Sequence, residues 1–234
     1  MALVMVTGAA SGLGYNTAHA LSDAGHDVVV HVRNESRLSE PGRWKGVVIG
    51  DLARVVEIHD VARQVSAFGH FDSVIHNAGV MSSPEVITVN VLAPYLLTAL
   101  MDKPARLIYL SSSMHRGGST DLRRLSQGTG SYSDSKLWIT TLALALASRW
   151  PGTSSHAVDP GWVPTRMGGA GAPDDLTAGH ETQVWLATHD GVNPSSGGYW
   201  HHRQTQAPHP ACQDEDFRAQ LIKTLESRTG VPLD

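Results

Sequence analysis

The chain has 234 residues, a length that suits one sizeable α/β core and leaves little for a second. Hydrophobic residues make up 41% and charged residues 17%, which excludes a disordered chain, and the net charge of −4 gives no reason to expect nucleic acid or an anionic membrane as partner. With one cysteine, Cys212, no disulfide can form within the chain, and a reducing, cytoplasmic setting is expected.

Short apolar runs alternate with amphipathic stretches, the pattern of a parallel sheet wound with helices. Ala2 to Val6 is apolar, has no basic lead and ends at once in Thr7-Gly8, so it reads as a buried first strand and not as a signal peptide. No apolar run approaches the roughly 20 residues of a membrane span. Leu13, Thr17, Leu21 and Ala24 fall near helical spacing, and Gly25 stops that helix. Val28 to Val30 and Val47 to Ile49 are the second and third strands. Ile58, Val61, Ala62 and Val65 form a helical stripe closed by Gly69, and Phe71 to Ile75 is the fourth strand. Val86 to Leu100 reads as a helix adjusted by Pro94. Leu107 to Leu110 is the fifth strand, Ser133 to Arg149 a long helix ended by Pro151-Gly152, and Ser155 to Val158 the sixth strand. Tyr199-Trp200 lies on a seventh, and Asp214 to Ser227 is a last helix. Arg116 to Gly130, Gly168 to Thr177 and His201 to Pro210 read as loops inside one domain, and there is no internal repeat.

Thr7-Gly8-Ala9-Ala10-Ser11-Gly12-Leu13-Gly14 joins the first strand to the first helix. Glycines there let the backbone turn sharply and approach a pyrophosphate, and the helix start supplies unpaired N–H groups. Tyr132-Ser133-Asp134-Ser135-Lys136 opens the long helix, so Tyr132 and Lys136 share a face one turn apart. An ammonium so placed is expected to lower the tyrosine pKa and fit it for proton transfer. Ser111-Ser112-Ser113 ends the fifth strand, at the sheet edge where open α/β folds bind ligands.

These motifs together resemble the classical short-chain dehydrogenase/reductase family. Gly8, Gly12 and Gly14 match its TGxxxGxG spacing, whereas neither GxGxxG nor TGxxGxxG fits. The resemblance covers most of the chain. It implies a Rossmann-like doubly wound parallel sheet of about seven strands flanked by helices, one domain over 1–234, with substrate loops near 115–130, 166–180 and 200–213. Ser11 and Leu13 would join the glycines at the cofactor, Asp51 and Leu52 would meet the adenine, and Asn77-Ala78-Gly79 would support the sheet beside it. Pro160, Gly161, Val163 and Thr165 would form the family's PG…T segment, with Thr165 on the nicotinamide carboxamide. His31-Val32-Arg33-Asn34 carries no acid where NAD-binding chains place one, and Arg33, with Asn34 beside it and Arg37 near, suits a 2′-phosphate, so NADP(H) is favoured over NAD(H).

The catalytic set implied is Asn90, Ser112, Tyr132 and Lys136, with Ser113 the alternative serine. Tyr132 would exchange the proton and Ser112 would orient the oxygen. Lys136 would hold the nicotinamide ribose, and Asn90 a water leading to Lys136. The expected activity is interconversion of a ketone or aldehyde with an alcohol by hydride transfer. An NAD-dependent alcohol dehydrogenase, a catalytically silent NADP-binding sensor or scaffold, and a sugar-nucleotide epimerase are the alternatives, the last disfavoured by the glycine spacing. The end of the chain, from Ser196-Gly197-Gly198-Tyr199-Trp200 onward, resembles the retinol-dehydrogenase-like and carbonyl reductase branch, which implies a lipophilic substrate; a homodimer or homotetramer is the expected assembly. Between Gly79 and Asn90 the chain is about a dozen residues shorter than the family norm, so a small helix there is expected to be reduced to a loop that leaves the cleft open. Asp159 stands where relatives carry His or Asn. His115, His201, Trp162, Met167, Tyr199 and Trp200 are further candidates to face the substrate. Thirteen histidines show no paired helical spacing of the kind that binds zinc, and no metal is expected.

Overall fold

The structure is a computed structural model that describes residues 1–38, 40 and 42–234. Its elements in chain order are β1 (Leu3–Val6), α1 (Gly12–Asp23), β2 (Asp27–Val32), β3 (Gly46–Ile49), α2 (Val55–Ser66), β4 (Ser73–His76), a π-helical turn (Thr88–Leu92) leading into α3 (Ala93–Leu100), and β5 (Arg106–Leu110). Then follow α4 (Leu122–Ser126), α5 (Tyr132–Arg149), β6 (Ser154–Asp159), α6 (Leu176–Thr188), β7 (Tyr199–His201), β8 (Gln204–Thr205) and α7 (Glu215–Thr229). One sheet orders the strands β3-β2-β1-β4-β5-β6-β7-β8. β1 to β7 pair in parallel, and β8 returns antiparallel to β7.

Alternation along the strands divides the core in two. Val4, Val6, Val28, Val30, Ile75, Ile108, Val158 and Trp200 point to the face that also buries Ala18 and Leu21 of α1 and Leu186 and Ala187 of α6. Met5, Val29, Val48, Val74, Leu107, Tyr109 and Ala157 point to the other face, under α2, α3, α5 and α7. The inner strands β1, β2, β4, β5 and β6 are buried on both faces, which is why they read as continuous apolar runs. The strand order reverses between β1 and β4, and crevices at such a switch point receive ligands.

Four elements differ from the sequence expectation, the first being α4, a short helix inside the 116–130 segment that reads as loop. β8 makes the sheet eight-stranded: His202 and Arg203, at φ 47° and 62°, form a tight turn inside a segment that reads as loop. Helix α6 has a buried face of Gly179, Thr182, Gln183, Leu186 and Ala187, too polar and small to give an apolar stripe. The expected helix over 86–100 opens into a π turn before Pro94, which has no N–H for the Asn90 carbonyl four residues back. Residues 81–85 form only bends and a turn, in keeping with the shortened segment.

Candidate active site

The glycine turn sits at the switch point and is shaped by close approach. Gly8 and Gly12 take φ values of 67° and 61°, where a side chain would be strained. A Cβ on Gly8 would come within 2.9 Å of Ala78 Cα, and one on Gly14 would overlap Asn77 Nδ2 and lie 2.5 Å from the Gly8 carbonyl oxygen. Asn77 and Ala78 donate their backbone N–H groups to Thr7 Oγ1 at 2.9 and 3.0 Å, and Asn77 Nδ2 donates to the Thr7 carbonyl at 2.8 Å. The Thr-Gly and Asn-Ala-Gly motifs are thus two sides of one cradle. Ser11, at the N-cap of α1, makes no side-chain cap, so the first N–H groups of that helix have no competitor from their own cap for an anionic group.

The cradle opens into a cleft of about 880 Å³. Gly8, Ser11, Gly12, Leu13, Gly14, Asn77, Ala78 and Gly79 line it at one level, and Arg33, Asp51 and Leu52 line its outer end with Arg37. Among the described residues neither Arg33 nor Arg37 has an acidic partner. Tyr132, Lys136, Pro160 and Thr165 line the inner end. Thr165 Cγ2 lies 3.3 Å from where a Gly12 Cβ would sit, so the segment after β6 folds directly over the glycine turn. Three expected contacts lie outside the lining. Asn34 accepts a hydrogen bond from Ser36 Oγ at 2.7 Å, Val163 is buried against Gly179, and Gly161 (φ 82°) shapes the turn, its N–H donating to Asp159 Oδ1 at 3.0 Å. The uncapped helix start, the space left by the missing side chains and the basic outer end fit a phosphorylated dinucleotide.

Helix α5 starts at Tyr132 because Ser131 and Asp134 cap each other's backbone: Ser131 Oγ accepts from Asp134 N at 3.1 Å, and Asp134 Oδ2 accepts from Ser131 N at 2.8 Å. Asp134 also accepts from Ser119 N and pairs with Arg124 at 2.8 Å, which fixes the helix start to the preceding loop. Ser112 lies near enough to Tyr132 to act on its ionisation. It also ends β5 by capping Met114 N at 3.2 Å, while Ser111 is buried on Thr140 and Ser113 points outward, exposed. Of the three serines, Ser112 is the one turned to the tyrosine. Lys136 is 5% exposed and donates to the Leu110 carbonyl at 2.6 Å. Asn90 is buried; its Oδ1 accepts from Val80 N at 2.8 Å, and its Nδ2 donates to Val80 O and Ser135 Oγ. The side chain therefore fastens the segment after β4 to α5. A Cβ on Gly79 would lie 3.4 Å from Asn90 Oδ1 and 3.8 Å from Lys136 Nζ, so both border that glycine.

The expectation that Lys136 lowers the Tyr132 pKa needs correction. Burial raises Tyr132 to about 12, Ser112 works against that rise, and Asp159 adds to it. The Lys136 ammonium lies 5.4 Å from the tyrosine ring centroid and is engaged by a backbone carbonyl; its own pKa falls to about 8, chiefly from burial.

Residues 2–175 match the family described as short chain dehydrogenase. A short-chain dehydrogenase of Penicillium rubens, chyC, is 37% identical over 257 aligned positions that span 100% of this chain and 99% of the relative. The chain belongs to the short-chain dehydrogenase family. Among solved structures, a Mycobacterium paratuberculosis protein superposes with a TM-score of 0.84 at 24% identity, covering 100% of this chain and 95% of that one. A blue fluorescent protein from a metagenomic library, in complex with NADPH, superposes at 0.71 with 20% identity, over 86% and 95% of the two chains. The protein is accordingly an oxidoreductase on a Rossmann-like sheet, and among its described residues no helix is long and apolar enough to cross a membrane.

Several sequence candidates of this short-chain dehydrogenase have other duties. His115 is fully buried, with Nδ1 on the Ser112 carbonyl at 2.7 Å and Nε2 accepting from His209 N at 2.9 Å; it fastens the serine turn to the C-terminal loop and does not face the cleft. Tyr199 and Trp200 are core residues, each 2% exposed. His201 Nδ1–H donates to the Asp159 carbonyl, 3.2 Å away. Trp162 is 61% exposed, its indole N–H donating to Gly168 O at 2.8 Å. Met167 does line the cleft.

Two residues of the site were missed. His31 lines the cleft and joins its parts: Nδ1 accepts from Gly8 N at 3.1 Å while Nε2 reaches Gly50 O at 2.9 Å. A histidine at the polar end of an apolar strand beside a glycine turn was the available signal. Asp159, which had no physical account in the sequence, is buried at the end of β6 and accepts from Gly161 N and, at 3.1 Å, from Tyr199 OH.

Proposed function

We propose that the protein is an NADP(H)-dependent carbonyl reductase, reversible as an alcohol dehydrogenase, with 1–234 acting as one domain. The observation that carries this reading is that Tyr132 and Lys136 line the inner end of a cleft whose outer end is basic, with Ser112 near the tyrosine. The glycine turn and the start of α1 hold the pyrophosphate, Asp51 and Leu52 border the adenine, and Thr165 holds the nicotinamide carboxamide. Arg33, supported by Arg37, takes the 2′-phosphate. The nicotinamide, when bound, supplies or accepts the hydride.

In reduction Tyr132 gives its proton to the substrate oxygen. A phenol held above its ordinary pKa is fully protonated at neutral pH and stands ready as a donor. Ser112 hydrogen-bonds the same oxygen and fixes its direction. Lys136 holds the nicotinamide ribose. Asn90 stations a water leading to Lys136; the second lone pair of Oδ1 is the acceptor left for it. The substrate is lipophilic. Met81 and Met167 line the open side of the cleft and Met114 follows the serine turn; all three are 40–47% exposed, and thioether side chains adapt to varied apolar shapes.

The test is a titration with NADPH and NADH, repeated on Arg33→Ala, followed by NADPH oxidation against apolar ketones and aldehydes. The expected result is turnover, with NADPH preferred and that preference reduced by about tenfold or more in the variant. Tight binding without turnover across a broad panel favours the silent NADP-binding sensor, and equal losses for both cofactors remove Arg33 from the 2′-phosphate.

A further inference from the structure

The wall of the cleft between β6 and α6 is loop, and it is tied to itself along its length. At its neck Trp162 N donates to Asp174 Oδ2, and Asp174 N donates to Trp162 O at 3.1 Å, so the two ends of the stretch 162–174 are held together. Across the middle, the Trp162 indole N–H donates to Gly168 O at 2.8 Å. At the tip, Gly168 N donates to Thr165 Oγ1 at 3.2 Å and Gly169 N to Thr165 O at 2.8 Å. The packing there is close: a Cβ on Gly168 would overlap Val163 O and lie 3.3 Å from the indole Cδ1. Thr165, Arg166 and Met167 line the cleft, and Trp162 is not among its lining residues. An exposed tryptophan beside a cleft resembles a substrate contact, yet its one polar side-chain atom is engaged by the loop itself.

We propose that Trp162 and Asp174 are positioning residues for the nicotinamide: they hold Gly168 where its N–H orients the Thr165 hydroxyl. This rests on the reading of Thr165 as the contact to the nicotinamide carboxamide. A threonine hydroxyl has one proton and two lone pairs. With Gly168 N–H on one lone pair, the Thr165 proton is left to donate to the carboxamide oxygen. On its other side Thr165 is placed by its methyl, which faces the space a Gly12 Cβ would fill. The methyl sets where the residue stands, and the Gly168 N–H sets where its hydroxyl points. A donor fixed at the carboxamide limits turning of the attached ring, and the direction of hydride transfer depends on how that ring is held.

The rival roles for Trp162 leave different traces. A ring that walls off the substrate alters the carbonyl KM and leaves the cofactor alone. A ring that only stabilises the fold weakens every ligand together. A positioning role acts on the nicotinamide half of the cofactor and spares the adenosine half, which binds at the far end of the cleft beside Arg33.

The test is a pair of dissociation constants, for NADPH and for adenosine 2′,5′-bisphosphate, which has the adenine and the 2′-phosphate but no nicotinamide. Trp162→Phe keeps a ring and removes the N–H. It is expected to weaken NADPH by about three- to tenfold, the range for one hydrogen bond, and to leave the bisphosphate within about twofold. Asp174→Ala opens the neck and is expected to give the same split. Asp174→Asn keeps an acceptor for Trp162 N and is expected to bind both ligands as the wild type does. NADPH affinity unchanged in Trp162→Phe overturns the proposal, and a raised carbonyl KM alongside would make Trp162 a substrate contact instead. Equal losses for the two ligands overturn it as well, as does an asparagine variant as weak as the alanine one. If the wild type prefers NADH, then NADH and AMP take the places of the two ligands. A wild-type protein that binds cofactor and reduces no carbonyl would defeat the functional reading while the two constants still judge Trp162.

Discussion

The two ends of the cleft are built from different materials. The cofactor end is backbone: two glycines with no room for a Cβ and a third, Gly12, held at positive φ, an uncapped helix start, and Asn77 and Ala78 fastened to Thr7. The catalytic end is side-chain charge taken out of water, with Lys136 and Asp159 buried and Tyr132 above its ordinary pKa. Shape governs the first end and electrostatics the second, so they fail in different ways. A changed proton at the catalytic end leaves the fold intact and stops chemistry. An added atom at the cofactor end moves the backbone and loses the ligand along with some stability.

The sharpest separation comes from Tyr132→Phe. It removes one oxygen, leaves the ring packed, and is expected to lower kcat by about 10²–10⁴-fold while the NADPH dissociation constant changes little. Steady-state kinetics with fluorescence titration reads both. Retained turnover would mean that another group donates the proton. The reverse pattern is expected from Gly14→Ala, where the new methyl overlaps Asn77 Nδ2 and crowds the Gly8 carbonyl. NADPH binding should weaken by about tenfold or more, with a stability loss of about 1–3 kcal/mol in urea unfolding. Unchanged affinity in that variant would show that the cradle can relax and that shape is not what limits binding.

The same contrast explains what could be read from the sequence. Glycine spacing and the Tyr132–Lys136 interval are local patterns, and each stands in the structure where the chain order places it. Strand runs buried on both faces were equally legible. Helix α6 was not, because its buried face of Gly179, Thr182 and Gln183 carries no hydrophobic period. β8 depends on a two-residue turn of His202-Arg203, residues that do not advertise a left-handed backbone. The electrostatics were misread for a different reason. Helical spacing places Lys136 near Tyr132, but desolvation and the charge on Asp159 come from β6 and the surrounding core, contacts distant in sequence. His115 shows the same limit: a histidine after the catalytic serine looks like a substrate contact until its two nitrogens are found engaged by Ser112 O and His209 N.

One titratable group breaks the division, and it offers the finest test. His31 stands at the backbone-built end, where Nδ1 accepts from Gly8 N and Nε2–H donates to Gly50 O, an arrangement that only the neutral ring can make. Burial lowers its pKa below the usual histidine value, opposed in part by Gly50 and Asp51. The folded protein therefore takes up this proton later than the unfolded chain does. Its contribution to stability is present above the unfolded value of about 6.5 and is lost as pH falls through the lower folded value. Protonation also removes the acceptor for Gly8 N–H and loosens the turn that carries the pyrophosphate. Affinity for NADH, whose ribose bears no titrating phosphate, is expected to fall by a few-fold between about pH 7 and about pH 5. His31→Ala should bind more weakly at neutral pH and show a flatter dependence. If the variant keeps the wild-type slope, the proton acts elsewhere and the cofactor end is shape alone. If the slope flattens, one imidazole makes the glycine turn responsive to acid, and the contrast between the two ends becomes one of degree.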